Sequence, residues 1–404
     1  MKIKVGVIFG GESVEHEVSI ITAVQAMEFM DKDKYEPIPI YISKDRTWYT
    51  GAMLKEIDVY KDFSSLKKYA KKVMLIKKDG KFCLQKTHGL FKGVVTDIDI
   101  AFPIVHGKGV EDGTLAGMLE QIGIPFVGPK VMGASIGQDK VVQKQLLKAN
   151  DLPITEYTWF YDYEYRNDSE KIKENVKKLG YPVIVKPALL GSSIGIKVVK
   201  EEKDLNEAIE EAIKYDNKIL IEKMVQNLLE VDCAVLGNYE TQETSLIGEM
   251  LTDNDFLTFE DKYISGGKGK KAPSKKMSGS VSTSGFEIPA SIDEKMKEEI
   301  YDISKRAFKA LNLSGVTRFD FLVDKKSKKI YVNEPNTIPG CLAFFFFTPT
   351  GKEYTQLLDE MITLAIKDYK HEKTKITSFE SNVLATYNGG AKGSKAKLVR
   401  NKKA

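Results

Sequence analysis

Residues 318–336 read RFDFLVDKKSKKIYVNEPN. Two β-prone runs, Gly315–Val323 and Ile330–Glu334, flank a lysine-rich turn, Asp324–Lys329, and the stretch reads as a hairpin. Successive side chains of a strand point to opposite faces. Arg318 and Asp320 therefore share one face, and Glu334 and Asn336 share one on the partner strand. Two carboxylates and an amide oxygen converging there form an all-oxygen set suited to Mg²⁺, completed by water and phosphate oxygens. Arg318 adds a rigid donor fork for a phosphate or a developing oxyanion. A surface ladder of ion pairs accounts for the same spacing equally well.

Upstream, Tyr181–Lys186 reads as a strand, Gly191–Gly195 (GSSIG) as a glycine-serine loop and Ile196–Val199 as the returning strand. Glycines let backbone N–H groups approach phosphate oxygens, and Lys186 adds charge beside Ser192 and Ser193. The loop is not a Walker loop, which needs Gly-Lys-Ser/Thr opening a helix. Lys140, at the start of a helix over Lys140–Ala149, is a second candidate for phosphate. A plain hairpin turn and a solvated lysine are the bland readings of the same residues.

The N-terminal part alternates strands and helices. Lys2–Phe9 is a strand broken by Gly10-Gly11, Ser19 is placed to cap a helix over Ile20–Met30, and Lys34–Ile42 is a second strand. Asp97–Val105 is a third strand, Thr114–Gly123 a helix, and Ile124–Val127 a short strand. This order predicts a parallel α/β sheet; the lysine-rich stretch from Ser43 to Lys92 yields no pattern. Ligands of such sheets sit beyond the carboxyl ends of the strands. The loop there, GGESVEHE over 10–17, carries Glu12, Glu15 and Glu17 and lacks Gly-x-Gly-x-x-Gly. Its acids would repel a pyrophosphate and suit a cation such as an amino-acid ammonium. Acidic capping of a helix start explains them too. His106, ending the third strand, faces the same crevice or is a satisfied structural histidine.

Further along, helices are expected over Asp204–Tyr215, Asp293–Leu311 and Tyr354–Tyr369, and strands over Ile219–Glu222 and Glu230–Leu236. From Ile264 to Gly285, 16 of 22 residues are Gly, Ser or Lys, the composition of a mobile loop rather than of a core element. Ala391–Ala404 holds six basic residues and no acid, which reads as a solvated tail.

The 404 residues suggest two to three domains of about 100–200 residues each. With 42% hydrophobic and 29% charged residues, the composition excludes fibrous and wholly disordered classes. The longest apolar run, Cys341–Phe347, is far short of the roughly 20 residues of a membrane span. No secretory pattern opens the chain, so a cytoplasmic protein is expected. Three scattered cysteines form neither a disulfide framework nor a zinc cluster. With 61 basic against 57 acidic residues, there is no case for a nucleic-acid surface.

The motifs occur together in a telling order: Gly10-Gly11, Ser13 and Glu15-His16-Glu17-Val18-Ser19; His106-Gly107 and Glu111-Asp112-Gly113; Lys186-Pro187, Gly191-Ser192-Ser193 and Gly195; Arg318-Phe319-Asp320-Phe321; then Asn333-Glu334, Asn336-Thr337 and Pro339-Gly340. From Val5 to about Tyr369 the chain resembles the D-alanine–D-alanine ligases, a family of ATP-grasp ligases. The resemblance implies an α/β protein, α+β in its C-terminal half. An N-terminal parallel-sheet domain (1–128) precedes two ATP-grasp subdomains (129–221 and 222–371), with a mobile lid near 260–285 and a basic tail (372–404).

It also implies roles. Glu15 holds the ammonium of the first D-alanine with Ser192, and His106 lies in that substrate pocket. Lys140, Lys186 and Ser193 serve the nucleotide phosphates, Glu222, Lys223 and Val225 the adenine at the hinge, and Glu230 the ribose. Lys262 and Tyr263 belong to the lid. Asp320, Glu334 and Asn336 hold two Mg²⁺ ions, with Mn²⁺ as a substitute, while Arg318 and the Gly340 N–H receive the oxyanion. The implied product is D-alanyl-D-alanine for peptidoglycan, made by a homodimer from ATP and D-alanine, without nucleic-acid or membrane partners. A serine that holds the second substrate's carboxylate in the family falls here at Phe345, which has no hydrogen-bonding group. D-serine or D-lactate as second substrate is the near alternative, and a catalytically inactive nucleotide-binding regulator the distant one. The missing glycine fingerprint disfavours a dinucleotide oxidoreductase.

Overall fold

The computed structural model describes residues 2–62, 66, 68–89, 92–251, 285–379 and 381. Among them the chain forms three sheets. The first comprises β1 (Ile3–Gly10), β2 (Tyr35–Ile42), β3 (Trp48–Thr50), β4 (Lys71–Lys78), β5 (Lys81–Lys86), β6 (Val94–Ile98) and β7 (Ile100–Ile104), in the spatial order 6-5-4-3-2-1-7. Among the described strands, β1 pairs in parallel with β2 on one side and with β7 on the other. The sheet is therefore mixed, with the expected parallel pairing at its centre. Strands β3 to β6 form an antiparallel extension; the short links between β2 and β3, β4 and β5, and β5 and β6 can join only antiparallel strands. The parallel centre is buried on both faces, so β1 and β7 are almost continuously apolar.

Two local expectations fail for one reason: a polar side chain has a partner across the chain. Helix α1 spans His16–Phe29 and starts before Ser19. Ser19 does not cap it; its hydroxyl accepts from the Gly10 N–H (2.7 Å) and donates to the Ile104 carbonyl (2.6 Å), tying β1 to β7. The expected strand Asp97–Val105 divides at Asp99, whose carboxylate accepts from the Lys4 N–H at 2.8 Å. β6 then pairs with β5, and β7 with β1. The expected strand Ile124–Val127 reduces to a single bridge between Ala101 and Phe126.

After α2 (Thr114–Ile122) come α3 (Val131–Gln138) and α4 (Lys140–Ala149). Asp139 caps α4 through the N–H groups of Val141 and Val142, at 3.0 and 3.1 Å. The second sheet is antiparallel, with β8 (Tyr157–Tyr161), β9 (Val183–Pro187), β10 (Lys197–Val199) and β11 (Lys218–Lys223) in the order 10-9-11-8. Helices α5 (Asp162–Asn167), α6 (Ser169–Leu179) and α7 (Leu205–Ile213) belong to this part, and Val176 and Ile209 pack against Val183, Val185 and Ile219.

The third sheet holds β12 (Leu228–Gly237), β13 (Gln242–Met250), β14 (Phe286–Glu287), β15 (Gly315–Asp324) and β16 (Ile330–Asn336) in the order 14-13-12-15-16. Helix α8 (Glu294–Ala310) packs Ile300, Ile303 and Phe308 against Phe319, Phe321 and Val323. Leu147 of α4 enters the same core, so the helix that carries Lys140 rests on the third sheet. A one-turn helix α9 (Phe344–Phe347) and the long α10 (Tyr354–Glu372) return to the first core, where Phe346, Leu357 and Met361 are buried with Val7 and Ile8. No helix among the described residues is long and apolar enough to cross a membrane.

Candidate active site

Strand β15 alternates as its sequence demands: Phe319, Phe321 and Val323 point into the core while Arg318, Asp320 and Leu322 point away. Asp320 lies opposite Glu334, and Arg318 opposite Asn336. The register slips after Asp320, leaving Asn333 as an extra residue. That bulge lets Asn333 and Glu334 both line a cleft. The cleft holds about 590 Å³, counting its open mouth, and is bounded by Lys140, Lys186, Gly191, Ser193, Glu230, Asp232, Asp320, Asn333 and Glu334 among others.

Cations and carboxylates alternate around it. Lys140 Nζ lies 2.8 Å from Glu334 Oε2. Arg318 grips Asp320 with two hydrogen bonds, Nε to Oδ1 at 2.7 Å and Nη2 to Oδ2 at 2.9 Å. Its Nε also lies 3.1 Å from Asp232, a buried residue of β12 paired with Asp320. Lys186 Nζ is 2.6 Å from Glu222 Oε2 and donates to Asn333 Oδ1 at 3.2 Å. Glu222 is shared: Lys144 lies 2.5 Å from its other oxygen, to which Thr155 donates at 2.7 Å. Burial favours a neutral Glu222, and the two lysines overcome it, holding the carboxyl far below its usual range. Burial likewise works against the Lys186 ammonium, but Glu222 and Glu334 prevail and its pKa rises.

At the mouth, the Gly191–Gly195 loop meets the loop after β1. Ser192 Oγ donates to Glu15 Oε1. Both Ser192 and Ser193 sit in the left-handed region, at φ 56° and 58°. Gly107 and Gly191 give Glu15 its room, since a Cβ on either would approach its Oε2 to 3.0–3.1 Å. His106 is buried nearby; burial lowers its pKa against the pull of Glu15, and its Nε2 has no hydrogen-bond partner among the described residues. Glu111 closes the junction. One oxygen accepts from the Gly107 N–H (2.8 Å), the other from Thr337 Oγ1 (2.8 Å) and the Ile338 N–H (3.1 Å).

The three acids of the first loop do not converge, contrary to the sequence reading. Glu12 pairs with Arg46 and Glu17 with Lys44, both in exposed positions, and only Glu15 turns to the crevice. Of the expected hinge residues at and beyond the end of β11, Lys223 is exposed, Val225 is buried, and neither side chain lines the cleft. The Glu222 carboxylate is committed to Lys144, Lys186 and Thr155. Gly340 opens a short turn in open surroundings. Phe345 packs against Phe286 and Phe346, with ring centroids 5.7 and 4.6 Å apart, and offers no hydrogen bond. Lys262 and Tyr263, with the rest of the expected lid core, lie outside the described residues.

Sequence reasoning missed Asp232 and Lys144, and it gave Glu111, quoted in the family motifs, no role. Two of them carried a signal: Asp232 is two residues from Glu230 on one strand, and Lys144 is four from Lys140 on one helix. The donor set fits divalent ions of the Mg²⁺ kind. No three His, Cys, Asp or Glu among the described residues form a ready-made metal cluster. Mg²⁺ needs fewer, commonly one or two carboxylates together with substrate phosphates. Asp320 and Glu334 meet that need, with Asn336 two register pairs away, opposite Arg318.

The N-terminal part, residues 4–129, matches the family model described as D-ala D-ala ligase N-terminus, and residues 146–363 match D-ala D-ala ligase C-terminus. The D-alanine--D-alanine ligase of Thermosipho melanesiensis is 42% identical over 95% of this chain and 98% of its own. That of Thermosipho africanus is 40% identical over 94% and 98%. Among solved structures, the D-alanine-D-alanine ligase from Coxiella burnetii matches with a TM-score of 0.77 at 26% identity, covering 92% of this chain and 96% of that one. The D-Ala:D-Ser ligase VanG from Enterococcus faecalis matches at 0.74 with 29% identity, covering 90% and 100%. The chain belongs to the D-alanine–D-alanine ligase family and has its ATP-grasp fold.

Proposed function

We propose that this protein joins two D-alanines to D-alanyl-D-alanine for peptidoglycan precursors, releasing ADP and phosphate. The observation that carries the reading is the cleft in which Lys140 and Lys186 face Asp320 and Glu334, with the Glu15–Ser192 contact at its mouth. A carboxylate is a poor acyl donor because its leaving group would be oxide. Attack of the first D-alanine carboxylate on the γ-phosphorus of ATP expels ADP and gives an acyl phosphate. The free amine of the second D-alanine then attacks the acyl carbon. Phosphate leaves, and the amine sheds its proton.

Each role belongs to residues of this chain. Glu15 and Ser192 hold the first ammonium, with His106 beside them. Lys140, Lys186 and the Ser193 loop neutralise the phosphates. The hinge from Glu222 through Lys223 to Val225 meets adenine, and Glu230 the ribose. Arg318 and the Gly340 N–H stabilise the tetrahedral oxyanion. Asp320, Glu334 and Asn336 would hold two Mg²⁺ ions, or Mn²⁺ in their place, which neutralise phosphate charge when bound. Lys262 and Tyr263 act from a lid that excludes water from the acyl phosphate. The setting is the cytoplasm, where the buried, free Cys83, Cys233 and Cys341 stay reduced. The homodimer implied by the family resemblance is tested by sedimentation of the full chain.

The deciding assay offers ATP with D-alanine, D-serine and D-lactate together at neutral pH and resolves the products by mass spectrometry. D-alanyl-D-alanine is expected to dominate, with ADP release dependent on D-alanine. Dominant D-alanyl-D-serine or D-alanyl-D-lactate overturns the substrate assignment, and no D-alanine-dependent ADP overturns the activity. Because Phe345 removes one charge-assisted hydrogen bond worth about 1.5–3 kcal/mol, binding of the second D-alanine is expected to be weaker by roughly 10–150-fold than with an anchoring serine. Phe345→Ser should then lower KM for the second D-alanine; an unchanged KM shows that the carboxylate is anchored elsewhere.

A further inference from the structure

Lys144 is a lysine that no step above uses. It lies one helical turn beyond Lys140 on α4, its side chain is 1% exposed, and it does not line the cleft. Its Nζ sits 2.5 Å from Glu222 Oε1 and donates to Thr155 Oγ1 at 3.1 Å. Thr155 in turn donates to the same carboxylate oxygen. The other oxygen of Glu222 faces Lys186, whose ammonium does reach the cleft. One buried carboxylate thus stands between two ammonium groups, and the enclosed trio carries one surplus positive charge on its cleft side.

We infer that Lys144 is a positioning residue, the standing counter-ion of Glu222, and that it leaves the charge of Lys186 available to the phosphates of the nucleotide. The inference rests on the reading of the cleft as the nucleotide site. Without Lys144, Glu222 and Lys186 form a neutral pair. An incoming polyphosphate then meets no surplus charge from Lys186, and drawing the ammonium toward phosphate strands a buried carboxylate, which is strongly unfavourable. With Lys144 in place, Glu222 keeps a partner whichever way Lys186 leans. The two lysines answer differently to their surroundings. Burial prevails at Lys144 and lowers its pKa against the pull of Glu222, whereas at Lys186 Glu222 and Glu334 prevail and raise it. Lys144 also lies 5.9 Å from the Tyr157 ring centroid, a further cation contact.

The test compares the full-length wild type with Lys144→Met and Lys144→Met/Glu222→Gln. Readouts are ADP binding by calorimetry, steady-state kinetics in ATP, and thermal unfolding of each variant. Lys144→Met is expected to weaken ADP binding and raise KM for ATP by about tenfold to a hundredfold, with kcat much less affected, since the lost charge acts on bound and reacting nucleotide alike. The double variant removes the carboxylate that captured Lys186, keeps the Glu222 backbone by which the hinge would meet adenine, and should recover much of both losses, a rescue that a purely structural role for Lys144 would not produce. Wild-type ADP affinity in Lys144→Met, or a double variant that binds no better than the single one, overturns the inference. Should Lys144→Met fail to fold, the double variant decides: near-wild-type ADP affinity supports the inference and weak binding overturns it. A wild-type protein that binds no ADP overturns the reading of the cleft itself, and this inference with it.

Discussion

Glu334 stands where three demands meet: it faces Asp320 across the β15–β16 register, accepts Lys140 at 2.8 Å and lines the cleft. Glu334→Gln keeps the shape and removes the charge. It should lower kcat by about a hundredfold or more, the scale of losing a preorganised electrostatic partner, while circular dichroism stays that of the wild type. Wild-type turnover in saturating Mg²⁺ would overturn its role. The facing of Asp320 to Glu334 and of Arg318 to Asn336 was legible in the sequence because strand alternation could be applied there. Alternation did not reveal the slip after Asp320 that turns Asn333 into the cleft, because a bulge leaves no mark in side-chain type. Nor did the sequence show that Glu12 and Glu17 turn to Arg46 and Lys44, since those pairings depend on where β2 and its following turn lie.

Elements were legible when both their period and their ends were local. The β9–β10 hairpin and helix α4 are of this kind. The antiparallel extension of the first sheet was not read, although its centre carries a strong signal: Asp79-Gly80 joins β4 to β5 with both residues at positive φ, 49° and 78°. Such a two-residue turn matches the twist of the flanking strands. Lysines on the exposed faces of β4 obscured the alternation around Val73 and Leu75. The turn is testable. Space is available at Gly80, with nothing within 4 Å of a built Cβ, so a substitution there probes the backbone conformation alone. Gly80→Val should lower the unfolding free energy by about 1–2 kcal/mol, the penalty of a side chain in the left-handed region. Activity per folded molecule should hold, because no residue of this hairpin lines the cleft. Unchanged stability in urea titration would show that the turn is not left-handed in solution.

At the scale of the whole molecule, the first sheet and the β15–β16 hairpin must hold a fixed relation, because Glu15 comes from one and the carboxylates from the other. Glu111 is the tie: it binds the Gly107 N–H on one side and Thr337 and Ile338, just past Asn336, on the other. Burial, and then the nearby Glu15, push its pKa up to about 7 from an ordinary 4.5, against the three hydrogen bonds that favour the anion. The neighbouring His106 is lowered by burial and adds no compensating charge near neutrality. The direction of the linkage follows. A carboxyl raised in the folded state keeps its proton there after the unfolded chain has lost it. Its stabilising contribution is complete below pH 4.5 and is lost as pH rises through about 7. At 1.36 kcal/mol for each pH unit, the change over that window is on the order of 3 kcal/mol. Glu111→Gln removes the titration, and groups that titrate alike in both proteins cancel in the difference. The stability of the wild type relative to Glu111→Gln should therefore fall from pH 4.5 to pH 7 and level off above it, as read from urea unfolding at each pH. A difference that is flat, or that rises with pH, would mean that Glu111 is ionised throughout and that its three hydrogen bonds outweigh its burial.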